Sequence, residues 1–429
     1  MSAPAALSNL VRALHHRNYR LFFAGQVTSL IGTWITRVAT SWLVFRLTHS
    51  AFLLGIVSFA GQIPTFLGAP IAGVLVDRWN RHRVLVVTQA LAAIQSALLA
   101  AFALTHTITV WHVLVLVAIQ GCINAFDVPA RQSFVVEMIE DRADLPNAIA
   151  LNSSMVNSAR LLGPSVAGVL IAAVGEGWCF AVDAVSYLAV IASLLLMRIA
   201  PRARPPVTRE VWAELAEGFR YVAGSVPIRS ILLLLALISF AGVPYTVLMP
   251  VFVAAYYGNA PHMLGVLMGA IGVGALGGVL WLAARRSVLG LGRMIMISGA
   301  TFGAALIAFS LARQLWLAVP LLAAAGAGMM MELAASNTLI QTLVDEDKRG
   351  RTMAFYTMAF FGMAPFGSLA AGLLAGWIGA PATVGACGAL VLVGVALFLR
   401  HYGALRTAVR PIYRRMGILP PSPPVSVEE

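Results

Sequence analysis

Residues 51–83 read AFLLGIVSFAGQIPTFLGAPIAGVLVDRWNRHR. No residue is charged from Ala51 to Val76, and the stretch then ends in Asp77, Arg78, Arg81 and Arg83 around Trp79, Asn80 and His82. A bilayer crossing needs about 20 predominantly apolar helical residues, and this run is long enough. The charged joint that closes it is costly in hydrocarbon and belongs at the membrane surface.

The alternation of apolar run and joint extends along the whole chain. Spans are predicted at 21–47, 51–76, 84–105, 108–136, 145–174 and 178–199, and again at 228–257, 262–284, 291–312, 315–344, 352–378 and 381–402. Twelve crossings would use roughly 240 residues. Composition agrees: of 429 residues 60% are apolar and 11% charged, with a mean hydropathy of +0.86. A soluble domain carries about a quarter charged residues, so a water-soluble globule is excluded. The expected fold is an all-α membrane protein of twelve helices in two six-helix bundles.

The net charge of +12 might suggest nucleic acid as a partner, but the basic residues sit in short joints between apolar runs rather than on one face. Of the 29 Lys and Arg, 25 fall in the N-terminal segment, the even-numbered joints and the C-terminal tail. Arg46 and Arg313 lie at the opposite ends of spans, and Arg37 and Arg160 lie inside them. That bias predicts both termini in the cytoplasm. Arg12, His15, His16, Arg17 and Arg20 precede the first apolar run, so no cleaved secretory signal is expected there.

Four segments follow: a first bundle at 1–199, a cytoplasmic linker at 200–227, a second bundle at 228–402, and a basic, Pro-rich tail at 403–429 predicted to be disordered. In the linker Trp212, Leu215, Phe219 and Val222 recur at helical spacing, with Glu210, Glu214 and Glu217 facing away, so an amphipathic helix is expected. A shift of 204 residues lays Gly163, Gly168 and Gly175 on Gly367, Gly372 and Gly379. A shift of 210 lays Leu54-Gly55 on Leu264-Gly265. Two parallel repeats are implied, an arrangement that puts a substrate site between bundles near the bilayer midplane.

The joint Gly73…Asp77-Arg78…Arg81…Arg83 resembles a signature of the major facilitator superfamily, with Asn80 where glycine is usual and His82 interrupting the basic pair. Gly73 would let two helices approach closely, and Asp77 would pair with arginines to latch the two halves. Phe126-Asp127…Pro129…Arg131-Gln132, Asn147-Ala148…Asn152-Ser153, Arg160…Gly163-Pro164 and Lys348-Arg349-Gly350-Arg351 resemble the branch that contains enterobactin exporters and macrolide-efflux transporters. Gly163, Pro164 and Gly168 are similar to the antiporter motif of fifth helices, with Ala159 at the upstream glycine position. The resemblance implies export of a small molecule driven by a proton gradient, and implies gating roles for Gly73, Asp77, Arg78, Arg81, Arg131, Gly163 and Pro164.

Charges inside spans are the functional candidates. Glu332, after Gly326, Gly328 and Met329–Met331, is the candidate proton carrier, with Asp127 and Arg160 as assistants. Arg160 could instead hold an anionic substrate. Arg37 and Asp183 are expected to form a structural ion pair. Trp34, Arg37, Phe126, Met330 and Tyr356 are candidates to line the substrate cavity.

Cys122, Cys179 and Cys387 have neither disulfide nor metal spacing and read as small core residues, and no histidine pair inside a span suits a metal. No metal or cofactor is expected, and clustered catalytic groups for an enzyme are missing. Without a phosphate-cradling Gly-rich loop ending in Lys-Ser/Thr, ATP is not the expected energy source and no ATPase subunit is implied. The expectation is a monomeric secondary transporter of the bacterial inner membrane that exports a siderophore-like or drug-like molecule against protons. Import in the same fold and a non-transporting sensor are the alternatives.

Overall fold

A computed structural model describes residues 12–199, 211–258, 260–285, 289–345 and 348–415, apart from the side chains of residues 70, 77, 211–215 and 415. Six long helices come first: α1 (Arg17–Thr48), α2 (Ala51–Arg78), α3 (Arg81–Leu104), α4 (Val110–Met138), α5 (Leu145–Val174) and α6 (Glu176–Leu195). A short helix, α7 (Val211–Gly224), leads into the second set. That set comprises α8 (Val226–Gly242) with α9 (Met249–Tyr256), then α10 (Pro261–Ala283), α11 (Leu291–Leu311), α12 (Leu315–Leu343), α13 (Arg349–Ile378) and α14 (Ala380–Arg415).

Counting α8 and α9 as one crossing, 11 of these are long and apolar enough to cross a membrane. The twelfth crossing is α1, whose 32 residues span about 48 Å at 1.5 Å each. It is more polar than the rest because Gln26 and Ser29 turn inward and are buried against neighbouring helices. Exposed Trp111, Trp178, Trp316 and Trp377 gather at the ends remote from the arginine-rich joints. Exposed Trp79 and Trp281 lie at the arginine-rich ends. Such belts mark the two membrane–water boundaries.

Helix starts follow from local chemistry. Ser50 accepts a hydrogen bond from the Leu53 N–H to cap α2, and Thr109 with His112 forms a capping box on α4. Asn80 caps α3 by accepting from the Arg83 N–H, which gives a role to the residue that departs from the superfamily signature. Gly175 (φ +86°) and Gly379 (φ +85°) make the equivalent sharp turns in the two halves. A residue with a Cβ adopts that backbone poorly.

The seventh crossing differs from the predicted continuous helix at 228–257. It breaks into a 3-10 turn at Val243–Thr246 between α8 and α9, where Pro244 and Pro250 lack the N–H a continuous ladder needs. The last helix runs on to Arg415, past its expected end at 402, so part of the predicted disordered tail is ordered. Residues 416–429 lie outside the described residues.

Helices α1–α6 pack among themselves, as do α8–α14, and the halves meet mainly through two crossings, α2 on α13 and α5 on α10. These crossings depend on glycine. A Cβ on Gly372 would stand 2.8 Å from the Gly55 Cα, and one on Gly168 would stand 2.7 Å from the Gly265 Cα. The two glycine pairs are partners under the sequence shifts of 204 and 210, so the internal repeat appears as matched contacts. Both lie toward the ends remote from the arginine-rich joints. Close approach of backbones through small residues is how helices associate where no hydrophobic drive exists.

Gly73 does not serve as expected: a Cβ there would meet nothing within 4 Å. Close packing of α2 on α4 is carried instead by Gly121, whose Cβ would stand 2.5 Å from the Gly61 carbonyl oxygen. Cys179 is buried, whereas Cys122 is exposed rather than a core residue.

Of the linker acids predicted to face away from the apolar side, Glu210 and the side chain of Glu214 lie outside the described residues, and Glu217 binds the second bundle. Glu217 accepts from Arg351 Nη1 at 2.7 Å and from Lys348 Nζ at 3.5 Å, pinning α7 to the start of α13. The hydrogen bond from Arg351, and then its charge, hold the Glu217 carboxyl below the usual carboxylate range. A group held low adds stability above its ordinary value and loses it as pH falls through the lowered one. Amide exchange in 211–224, corrected for intrinsic rates, should therefore be steady from pH 8 to pH 5 and several-fold faster in Glu217→Gln. Equal exchange in the two proteins would remove this pin. Phe219, on the predicted apolar face, stays 60% exposed, with its ring centroid 6.2 Å from that of Phe355.

Candidate functional site

In the first half, polar side chains from four helices converge on a small recess of about 60 Å³, lined by Gln26, Thr33, Gln120, Asn124, Asp127 and Tyr187 among others. Asp127 is 6% exposed. Its Oδ1 accepts from Thr88 Oγ1 at 3.0 Å and Gln89 Nε2 at 2.8 Å, while Oδ2 lies 3.7 Å from Arg131 Nε. Arg131 also donates to Gln26 Oε1 at 3.3 Å. Asp127 is thus a carboxylate with one cation and two neutral donors, enough to carry its charge away from water. Buried Gln89 Oε1 and Gln120 Oε1 have no hydrogen-bond partner.

The second half holds a carboxyl of the opposite character. Glu332 is fully buried, its Oε1 accepts from Ser336 Oγ at 2.8 Å, and its Oε2 has no partner. No cation stands within ion-pair distance of it among the described residues. A buried ionised carboxylate without a counter-ion costs several kcal/mol, so charge on Glu332 requires a cation or water to reach it. Tyr356, on α13, donates to the Leu333 carbonyl at 2.9 Å beside it. Asp127 and Glu332 each lie eleven residues before the C-terminal ends of α4 and α12, about 16 Å along the axis. The two halves therefore present acids at one depth and in unlike surroundings.

Between the halves stands a third group. The Arg37 guanidinium carbon lies 4.8 Å from the centroid of the Trp34 ring, and that of Arg160 lies 5.5 Å from it. The two cations are then no more than about 10 Å apart, and at an effective dielectric of 20 they repel by on the order of 1–2 kcal/mol. Cation–π contact with a tryptophan face returns about 0.5–2 kcal/mol each. Gly163 allows the arrangement, because a Cβ there would stand 2.3 Å from the Trp34 Cβ. Arg160 reaches across to the other half, with Nη1 3.5 Å from the Met330 sulfur, and its buried Nε has no partner. Tyr245, from the break between α8 and α9, lies within range of the Arg160 charge, and its buried hydroxyl also has no partner.

The expected ion pair of Arg37 with Asp183 is not formed. Asp183 Oδ2 accepts from Ser96 Oγ at 2.9 Å, and Oδ1 lies 3.5 Å from Ser186 Oγ. With Gly32 at that crossing and no side chain between α1 and α6, the carboxylate packs on the α1 backbone below Arg37. A double-mutant cycle of Arg37→Gln and Asp183→Asn, read by thermal unfolding, should be additive within about 0.5 kcal/mol. A coupling above about 1 kcal/mol would restore the pair.

Trp34, Arg37, Arg160 and Met330 are thus brought together, with Tyr356 beside Glu332 in the second half. Phe126 is not among them: its ring is stacked on Trp79 at 6.2 Å and packs the arginine-rich end of the first half. Of the gating candidates, Arg81 Nη1 binds Glu137 Oε1 at 2.9 Å, tying α3 to α4 within one half. Arg78 is exposed, Pro164 is buried within α5, and the Asp77 side chain lies outside the described residues.

The expectations from sequence did not include Tyr245, Tyr187 or the buried amides of Gln26, Gln89 and Gln120, because they rested on charges inside spans and on the aromatic and methionine side chains Trp34, Phe126, Met330 and Tyr356. Glutamine within an apolar run was the available signal for the amides. For Tyr245 the signal was its place between Pro244 and Pro250, since interrupted helices mark binding sites in transporters.

The family described as transmembrane secretion effector matches residues 9–408. The multidrug efflux pump Tap of Mycolicibacterium fortuitum is 27% identical over 402 residues, covering 91% of this chain and 98% of that protein. The enterobactin exporter EntS of Citrobacter koseri is 26% identical over 414 residues, covering 96% and 98%. The staphyloferrin A transporter of Staphylococcus aureus is 26% identical over 298 residues, covering 67% and 72%. In fold, the chain is similar to a bacterial homologue of the human lysosomal transporter Spinster in an inward-facing, occupied conformation. The TM-score is 0.72 at 15% identity, over 92% of this chain and 98% of that one.

Proposed function

We propose, for a chain that belongs to the transmembrane secretion effector family of the major facilitator superfamily, that it exports a small amphipathic molecule in exchange for protons by alternating access. The arginine-rich joints and both termini face the cytoplasm of a bacterial inner membrane, and a single chain carries the cycle. The observation that carries this reading is the pair of buried carboxyls at matched depth. Asp127 is balanced by Arg131, whereas Glu332 is uncompensated inside the second half.

In one state the glycine crossings Gly55–Gly372 and Gly168–Gly265 shut the outer end. Rocking the halves about the midplane would open them, the motion expected of parallel repeats. A proton reaching Glu332 changes which arrangement is favoured, because protonation removes a charge that only one arrangement can solvate. Siderophores and drugs, named for the relatives, are the first substrates to try.

The test is flux in proteoliposomes across a panel of siderophores, macrolides and dyes, with and without an imposed pH gradient. Movement of at least one compound that accelerates when the gradient opposes its direction supports proton exchange. Flux indifferent to the gradient removes it while leaving transport in place. Acceleration in the same direction as the proton favours import.

A further inference from the structure

Among the described residues, Arg37 and Arg160 are the two cations inside spans whose charge no acid neutralises. Arg131, also within a span, is paired with Asp127, and Arg46, at the far end of α1, lies 3.0 Å from Glu176. Of the buried acids, Asp183 is bound to Ser96 and Asp127 to Thr88, Gln89 and Arg131, while Glu332 stands within ion-pair distance of neither arginine. Arg37 and Arg160 share the Trp34 ring, and Tyr245 lies within range of the Arg160 charge. Two of these three side chains, Arg160 and Tyr245, keep a buried donor without an acceptor. Arg160 Nε and the Tyr245 hydroxyl are buried with no partner, and the Arg160 Nη1 contact is a thioether, a weak acceptor. Leaving buried charged donors unmatched is costly, so the arrangement is complete only with an acceptor that the chain does not supply.

We propose that Arg37, Trp34, Arg160 and Tyr245 form a binding site for an organic anion, a carboxylate carried on an apolar aromatic body. The carboxylate lies between the two guanidinium groups and accepts from Arg160 Nε and the Tyr245 hydroxyl. Its apolar body rests against Trp34 and the Met330 side chain. Arg37 is exposed although it stands eleven residues inside the end of α1, with its guanidinium over the Trp34 ring. Arg37, Trp34 and Arg160 come from the first half, and Met330 and Tyr245 from the second. An anion held there would draw the halves together, which couples occupancy to rocking. This assignment of substrate class rests on the transport reading above, but its test does not require flux.

The experiment uses the full chain in phosphatidylcholine nanodiscs and three matched probes: 2-naphthoate, 2-naphthamide and 2-naphthylmethylammonium. Binding is read by isothermal titration. Naphthoate should bind about tenfold or more tighter than the amide, the size of one charge-assisted hydrogen bond, and the ammonium weakest. Arg37→Gln and Arg160→Gln should each weaken naphthoate about tenfold and leave the amide unchanged, which also shows that they fold. Arg160→Lys should recover part of the loss. Tyr245→Phe should weaken naphthoate severalfold.

Absence of saturable naphthoate binding, equal affinity for the amide, or tightest binding of the ammonium would overturn the proposal. So would arginine variants that weaken all three probes alike, which assigns these residues to structure. If naphthoate selectivity holds while no compound crosses proteoliposomes, the transport reading fails and the anion site stands.

Discussion

Glu332→Gln should bind substrate within about threefold of the parent and lose the response of efflux to a pH gradient. Gradient-driven transport should fall on the order of 5- to 150-fold, the range of a 1–3 kcal/mol coupling between sites. Glutamine has the size of glutamate and keeps an oxygen to accept from Ser336 Oγ, the one side-chain hydrogen bond of Glu332 among the described residues. What it removes is the ability to alternate between charged and neutral forms at a fully buried position. The same change at Asp127 should behave otherwise. Asp127→Asn breaks the balance with Arg131 and the recess around Gln26, so substrate affinity and proton response should fall together. Proton response intact in Glu332→Gln and lost in Asp127→Asn with binding retained would transfer the coupling role to the first half.

Gly168→Leu combined with Gly372→Leu should leave a folded protein that no longer closes its outer end. Each new side chain must enter space where the opposing glycine Cα stands less than 3 Å from its Cβ. Overpacking costs about 1–3 kcal/mol per site, so the closed arrangement should lose an order of magnitude or more in population. Transport should fall in proportion. Folding should survive, because these glycines join the halves and do not pack either one internally.

The contrast is Gly274→Leu, whose Cβ would collide with the Ala323 carbonyl oxygen between α10 and α12 of one half. That variant should fail to accumulate. With Cys122, Cys179 and Cys387 replaced by alanine, spin labels at Thr107 and Ala382 report the separation of the halves at the outer end. An unchanged distance distribution in the double variant would show that these crossings do not gate.

Spans and joints could be read from the sequence because a bilayer imposes a one-dimensional rule. Runs of about 20 apolar residues, interrupted by charge, locate crossings whatever their neighbours do. The internal repeat was equally visible, since Gly163, Gly168 and Gly175 had to keep their spacing to perform the same turns and crossings as Gly367, Gly372 and Gly379. The break at Pro244 and Pro250 was written in the chain too, although apolarity alone made residues 228–257 look continuous.

Partners were not legible. Residues 37 and 183 lie at matching depths on helices that touch, so pairing them was reasonable, yet Ser96 and Ser186 take the carboxylate. Which residue of a helix faces which neighbour depends on rotation about the helix axis, where 100° separates successive positions. That rotation is set by small residues such as Gly32 and Gly163, far in sequence from the groups they bring together. The amino-acid sequence by itself determined a membrane chain of two related bundles with charges stranded inside. Only the tertiary structure decided that Asp127 is neutralised, that Glu332 is not, and that two arginines share one tryptophan with no acid beside them. Burial and counter-ions come from helices packed in three dimensions, and no periodicity along one chain encodes them.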